Sequence, residues 1–290
     1  FDKAYYDENH SDTAVDMSLL GDLYRLQGKF NRAEETVKLS LRYLAESLGE
    51  KHPSTITIMN NLGLIYENMG LYEKTEPLYK KALKNSKETL GEGHQNNIAL
   101  MSNLAMLYIS QGVFKKAEPL YVETIALSEK VYGPEHPHTV SALNNLGYVY
   151  LMLEQFPKAG EYFSKVLKLR IKNLGEEHKN ALKALNNLAR VTHKQNKYEE
   201  AEAMFEKALA LRTKILGPRH PDVVRSMIDL SSLYVDWKKE AKAKALLRKT
   251  VRTAETSLGD KHPYTFEALN TLADFLEKTD KLDGARVMSG

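Results

Sequence analysis

The chain has 290 residues, of which 42% are hydrophobic, and its formal net charge is only +3. Because this charge is small and no long run of one sign occurs, the sequence predicts no nucleic-acid partner. The absence of cysteine excludes disulfides and thiolate metal ligands, and it fits an intracellular, cytoplasmic protein. No apolar run approaches the roughly 20 residues that a membrane-spanning helix needs, so we expect no membrane insertion.

One histidine returns every 42 residues along the whole chain and opens each copy of a common pattern. The copies start at His10, His52, His94, His136, His178, His220 and His262. A period between about 20 and 50 residues is typical of stacked repeats that share no single core. We therefore predict one array over residues 1–290, with residues 1–9 as the end of a preceding copy and a truncated seventh copy. These edges suggest a segment of a longer protein.

Each copy begins with a predicted amphipathic helix. Proline follows the histidine in four copies, and it suits a first helical turn because its backbone angle is preset and it lacks an N–H group. Apolar residues then recur at steps of three, four and seven, with one small residue among them, as in Leu143, Leu146, Gly147 and Tyr150. This helix is predicted to end at a glycine that can adopt the left-handed conformation, namely Gly28, Gly70 or Gly112.

A second helix follows in each copy, with a small residue and then apolar residues four and eight positions later, as in Ala201, Phe205 and Leu209. It is predicted to stop before a glycine, at Leu48, Leu90, Tyr132, Leu174, Leu216 and Leu258. No segment alternates with a two-residue period, so the predicted fold is all-α, built from hairpins with helices of about 14 to 17 residues. The sixth copy departs from the pattern because Lys238 replaces the turn glycine, and we expect bending or loose packing there.

The pattern Leu-Gly/Ala-x-x-Tyr, followed by Gly-x-Phe/Tyr-x-x-Ala and an aromatic residue four later, resembles the tetratricopeptide repeat. The 42-residue length and the joint LGEKHPST at 48–55 resemble the lengthened repeats of kinesin light chains, nephrocystin and bacterial multi-repeat proteins. This resemblance implies a right-handed α-solenoid in which the first helices line a concave groove. It also implies a protein-interaction scaffold or adaptor rather than an enzyme.

Two chemical interpretations of the repeated histidine were compared. Histidine is a common metal ligand and pH switch, but equivalent positions on packed helices lie about 8–10 Å apart, too far to share a metal ion. Packing at the joint is therefore the favoured interpretation. The sequence also contains no glycine-rich phosphate loop, G-x-S-x-G elbow, H-E-x-x-H motif or cysteine nucleophile. We accordingly predict no catalytic residue, no cofactor and no metal site.

An asparagine precedes the repeated leucine in four consecutive copies, at Asn61, Asn103, Asn145 and Asn187. Asparagine is a weak helix former, so four in register within helices need a reason. In one interpretation the amides line the groove, where donor and acceptor match the backbone of an extended peptide. In the alternative they bond neighbouring helices and hold the stack. By resemblance, this position in tetratricopeptide domains binds peptide backbones or carboxylates, which favours the first interpretation.

The predicted groove changes character along the array. Its middle copies carry the apolar residues Leu64, Met106, Ile109, Tyr148 and Leu151, whereas the fifth and sixth copies carry the basic residues Lys183, Arg190 and Arg225. Exposed apolar patches often mark interaction sites. We therefore predict a peptide ligand with a large apolar or aromatic side chain near Leu64, Met106 and Tyr148. Its acidic residue or carboxylate would lie toward the three basic residues.

Other functions remain open at this stage. The array could be the regulatory or sensor arm of a larger enzyme, such as a caspase-like protease or a signalling ATPase. A third hypothesis is self-association, because a solenoid without polar end caps exposes an apolar edge. The sequence does not identify the ligand or the parent protein.

Overall fold

The computed structural model describes the backbone of residues 10–288 and the side chains of residues 13–279. This part of the chain is all-α and contains no strand, as the sequence predicts. The first helices of the copies are α1 (His10–Leu26), α3 (Pro53–Asn68), α5 (Gln95–Ser110), α7 (Pro137–Met152), α9 (Lys179–Lys194), α11 (Pro221–Asp236) and α13 (Pro263–Met288). The second helices are α2 (Phe30–Leu48), α4 (Tyr72–Leu90), α6 (Phe114–Tyr132), α8 (Phe156–Leu174), α10 (Tyr198–Leu216) and α12 (Glu240–Leu258).

The helices form two compact units that divide between Leu153 and Glu154. In unit 1, which contains α1 to α7, the second helices pack against the first helices before and after them, and α3 also contacts α1 and α5. In unit 2, which contains α8 to α13, the second helices pack in the same way, and α11 contacts α9 and α13. The first helices α1, α3 and α5 therefore lie side by side in one layer, and so do α9, α11 and α13.

The repeated histidine caps the first helix of its copy. In the second copy, His52 Nδ1 accepts a hydrogen bond of 3.2 Å from the backbone N–H of Ser54, and Pro53 occupies the first helical position. The same bond is made by His94, His136, His178, His220 and His262. The ring nitrogen thus takes the place of the side-chain oxygen of an ordinary N-cap, satisfying a backbone N–H that the helix leaves unpaired. These histidines have a structural role at the joints.

We expect His94→Ala to lower the free energy of unfolding by about 1 kcal/mol, because the N–H of Asn96 loses its acceptor. His94→Asn should keep most of that stability, since asparagine is itself a good N-cap. Thermal unfolding of the two variants, with hydrogen exchange in the first turn of α5, measures the difference. Equal losses in both variants would show that packing of the ring, and not capping, stabilises the joint.

Tight turns join the two helices of each hairpin. Gly28, Gly70 and Gly112 have φ angles of 71–73°, which confirms the predicted left-handed helix ends. The backbone N–H of Leu71 donates to Tyr66 O at 2.9 Å, the bond that closes a Schellman motif. Lys238 adopts the same conformation with φ 56°, although a residue with a Cβ is disfavoured there by about 1–2 kcal/mol. The turn of the sixth copy therefore forms without its glycine.

The structure differs from the sequence-based predictions in three places. The second helices have 19 residues, which is longer than predicted. The sixth copy does not pack loosely, because Leu233, Ala243 and Leu247 have no exposed surface and Trp237 stacks on Tyr198 with ring centroids 5.6 Å apart. In the seventh copy, where Asp280 stands at the position of the turn glycine, α13 continues to Met288 without a turn.

Large side chains of the second helices form the core of the hairpins. All are fully buried at the position predicted for them: Val37, Tyr79, Tyr121, Phe163, Phe205 and Leu247. In the second copy Gly63 lies so close to the Tyr79 ring that a Cβ on it would be 2.2 Å from a ring carbon. The small residue of the first helix is therefore required by close contact with the second helix.

Candidate functional site

The asparagines of the first helices bond to other helices of the stack. Asn61 Nδ2 donates to Ser18 Oγ at 3.1 Å, which joins α3 to α1. Asn103 Nδ2 donates to Asn60 Oδ1 at 2.8 Å, which joins α5 to α3. These two bonds join neighbouring helices, as the alternative interpretation expects. Each amide nitrogen carries a second N–H group, so peptide contact by Asn61 and Asn103 stays a prediction.

Asn145 also bonds within the stack, because its Nδ2 donates to the Tyr121 hydroxyl at 3.2 Å. Asn103 and Asn145 nevertheless line one pocket of about 240 Å³ in unit 1, together with Tyr132 and His138. The pocket lies between α5 and α7 on the layer of first helices. Peptide contact by these two asparagines therefore stays a prediction.

The apolar residues predicted for the middle of the groove are mostly covered. Met106 is 37% exposed, whereas the others are half-buried: Leu64, Ile109, Tyr148 and Leu151. The ring of Tyr148 packs edge-to-face on Phe114, with centroids 6.5 Å apart. Much of the predicted apolar patch is thus used in packing between helices of unit 1.

More exposed apolar side chains lie on α1. Leu19 and Leu26 are 64% and 69% exposed, and Leu23 lies about half exposed on the same helix. The self-association hypothesis assumes an exposed apolar edge, and α1 exposes apolar side chains of this type. Self-association itself stays a prediction.

Unit 2 brings the predicted basic residues into one pocket of about 400 Å³, which we call the basic pocket. Lys183, Asn187 and Arg190 reach it from α9, and Arg225 reaches it from α11. Lys183 is exposed and Arg190 is half-buried, and neither forms an ion pair with a carboxylate among the described side chains. These two cations are therefore available to an acidic ligand.

Arg225 is bonded to two carboxylates of unit 2. Its Nη1 donates to both carboxylate oxygens of Glu267 at 2.7 and 2.8 Å, and its Nη2 lies 3.3 Å from Asp229 Oδ1. Burial acts against its charge, but the two carboxylates outweigh burial and raise the pKa of Arg225. Contact between Arg225 and a ligand carboxylate therefore stays a prediction, although the guanidinium is already paired within unit 2.

Arg212, on the second helix α10, lines the same pocket and was not singled out by the sequence pattern. It is only 7% exposed, and it donates to Ser226 Oγ at 2.5 Å and to the backbone oxygens of Asp222 and Leu182 at 3.3 and 3.5 Å. No carboxylate of a described residue lies within 4.0 Å of its guanidinium. Burial lowers the pKa of Arg212, although nearby carboxylates including Asp222 offset part of this effect.

The sequence did contain a signal for Arg212. The equivalent position of the second helix is uncharged in four other copies, where it holds Leu44, Ser86, Ser128 and Ala254. Arginine occurs there only in the fourth and fifth copies, at Arg170 and Arg212. A charge that appears in an otherwise buried, uncharged register is therefore the feature that would have identified the pocket.

Two other features, a metal-binding cluster and a membrane-spanning helix, were considered for the described residues. They contain no group of three or more His, Asp or Glu side chains placed to hold a metal ion. Across the same stretch, no helix has the length and apolar character that crossing a membrane requires.

Comparison with known structures places this fold among repeat proteins. A putative kinesin light chain with nearly identical TPR-like repeats from Podospora anserina is 24% identical, with a TM-score of 0.65 over 71% of this chain and 98% of that chain. BtubC from P. vanneervenii is 22% identical, with a TM-score of 0.63 over 83% and 94%. A signal-transduction ATPase with numerous domains (STAND) from Pyrococcus horikoshii, which has a tetratricopeptide repeat sensor, is 19% identical, with a TM-score of 0.68 over 94% of this chain and 39% of that chain.

Comparison of the sequence itself gives the family. A search of the curated proteins found no match. A family model described as tetratricopeptide repeat matches residues 54–130, 96–172, 141–214 and 180–256, which together extend over more than half of the chain. The chain therefore belongs to the tetratricopeptide repeat family.

Proposed function

We propose that this protein is a scaffold or adaptor that binds an acidic segment of a partner protein in the basic pocket of unit 2. The observation that supports this function is the convergence of Lys183, Arg190 and Arg212 on one pocket with no carboxylate paired to any of them among the described residues. Repeat arrays offer extended surfaces for protein partners, and this pocket adds a charge preference to such a surface.

An acidic side chain or a terminal carboxylate would enter between Lys183 and Arg190. Arginine can bind a carboxylate with two parallel hydrogen bonds, whereas lysine acts as a compact point charge. Asn187 lines the same pocket and supplies an amide at the position that the sequence predicts for peptide contact. In unit 1, the surface around Met106 would take an apolar side chain of a partner.

Reversal of two charges tests this function. We expect the double variant Lys183→Glu and Arg190→Glu to bind acidic peptides at least about tenfold more weakly for each charge reversed, since hydrogen bonds to charged groups contribute about 1.5–3 kcal/mol. Peptides selected from a random displayed library on the unmodified protein serve as probes, and titration calorimetry measures their affinity. Binding to the unmodified protein should also weaken as salt is raised.

The control is the double variant Lys244→Glu and Lys249→Glu. These residues are exposed on α12 and lie outside the lining of the basic pocket, so the net charge changes by the same amount. The control should bind like the unmodified protein. Selected peptides without acidic residues, or equal affinity for both double variants, would refute the proposed function.

A second candidate function is that of the regulatory or sensor arm of a larger enzyme. It is supported by the likeness to the STAND ATPase, which has a tetratricopeptide repeat sensor and of which 39% of the chain is matched. The sequences that flank the array in its gene distinguish the candidates. A phosphate-loop domain or a cysteine–histidine protease beside the array would favour the sensor, and a coiled-coil region would favour the adaptor.

A further inference from the structure

We infer that the acidic group bound in the basic pocket is a phosphate group, held at the base of the pocket by Arg212. This inference rests on the proposed function, because it names the ligand chemistry of the same pocket. The shared chemistry is a phosphate dianion, either on a side chain of a partner peptide or on a free small molecule.

The charge of the pocket fits a dianion better than a carboxylate. Five cationic side chains line it, namely Lys179, Lys183, Arg190, Arg212 and Arg225. The carboxylate of Asp222 also lines it, and those of Asp229 and Glu267 are bonded to Arg225. The five cations and three carboxylates leave the pocket with a net charge of +2. A phosphate monoester carries a charge of about −1.5 to −2 at pH 7, whereas a carboxylate carries only one negative charge.

The burial of Arg212 points to a ligand. A buried charge destabilises a fold unless it is paired, and in this structure Arg212 meets only a hydroxyl and two backbone oxygens. The repeat scaffold does not need arginine here, because Leu44 is fully buried at the same position of the first copy. An anion that enters the pocket would supply the missing negative partner. The planar guanidinium, with its several donors, suits phosphate recognition.

The position of the pocket at two helix N-termini also favours a phosphate dianion over a carboxylate. Lys179 and Lys183 lie in the first turns of α9, and Asp222 lies in the first turn of α11. Two helix N-termini, which carry partial positive charge, thus lie beside the arginines. A volume of about 400 Å³ is at the lower end of the range found for small-ligand pockets, so a phosphorylated side chain has room to enter.

Thermal unfolding of the full chain in inorganic phosphate provides the first test, with acetate and chloride at the same ionic strength as reference anions. A ligand that binds the folded state raises its Tm in proportion to the logarithm of ligand concentration at high occupancy. We expect phosphate to raise Tm and acetate to have little effect. Equal effects of phosphate and acetate, or no effect of phosphate, would overturn the inference.

The decisive variant is Arg212→Leu, which should lose the phosphate-dependent rise in Tm. Leucine is compatible with the fold at this position, as Leu44 shows. Arg248→Leu is the matched control, because Arg248 is exposed on α12 and does not line the pocket. It should keep the full response. If Arg212→Leu does not fold, Arg190→Gln, at a half-buried position, should reduce the response; an unchanged response in either pocket variant would overturn the inference.

Two further probes separate the sources of phosphate and the two proposals. Calorimetry with N-acetyl-phosphoserine amide and with inorganic phosphate shows whether a peptide side chain or a free anion binds better, and either result supports the site. N-acetyl-glutamate amide is the carboxylate counterpart. If it binds as tightly as the phosphoserine probe, the phosphate inference fails while the proposed function stands. If phosphate binds but the selected acidic peptides bind the Lys183→Glu and Arg190→Glu double variant as tightly as the unmodified protein, the proposed function fails and the phosphate inference stands.

Discussion

We expect Phe205→Ala to lower the free energy of unfolding by about 3–5 kcal/mol. Phe205 has no exposed surface and lies in a buried cluster with Ala189 of α9 and with Leu230 and Leu233 of α11. Its ring therefore joins three helices of unit 2. Truncation would remove the transfer free energy of the ring and leave a cavity that the rigid helices could close only in part.

Tryptophan fluorescence measures this effect locally. Trp237 is the only tryptophan of the chain and packs against the same cluster, so its emission during denaturant unfolding reports on unit 2. Phe266→Ala makes the same chemical change at a site that is 55% exposed, and it should cost less than about 1 kcal/mol. Similar losses in the two variants would contradict the buried position of Phe205.

Gly63→Ala is expected to destabilise unit 1 by about 1–3 kcal/mol through overpacking. The added methyl group would lie 2.2 Å from a carbon of the Tyr79 ring, and Tyr79 is fully buried. Neither side can move freely, because Tyr79 lies inside the hairpin and its hydroxyl donates to Glu67 at 3.2 Å. The steric cost should exceed the gain of about 0.5–1 kcal/mol that alanine brings within a helix.

Gly160→Ala is the matched control for this prediction. Gly160 is also within a helix, but a Cβ there would meet Val191 only at 3.6 Å, which is ordinary van der Waals contact. This variant should therefore be about 0.5–1 kcal/mol more stable than the unmodified protein. Hydrogen exchange in α3 and α4 measures the effect of Gly63→Ala, since unit 1 lacks tryptophan. Changes of the same sign in both variants would count against the contact with Tyr79.

The amino-acid sequence determined the helical elements of this protein almost completely. The second helices end where predicted, as at Leu48 and Leu216, and the glycine after each has a positive φ angle. Four of the first helices begin at the proline that follows the histidine, as at Pro53. Such boundaries could be predicted because they depend on capping and backbone preferences of a few neighbouring residues, repeated every 42 positions.

Only the tertiary structure decided what the surface residues do. Asn61 bonds to a serine 43 residues away, and Arg225 is paired with Glu267, 42 residues away, so neither is as available as the sequence suggests. Arg212 reaches the basic pocket from the second helix, whereas the sequence pattern directs attention to the first. The physical reason is that stacking of successive copies brings together residues about one repeat apart in the chain, and the sequence pattern of one copy does not contain these partners.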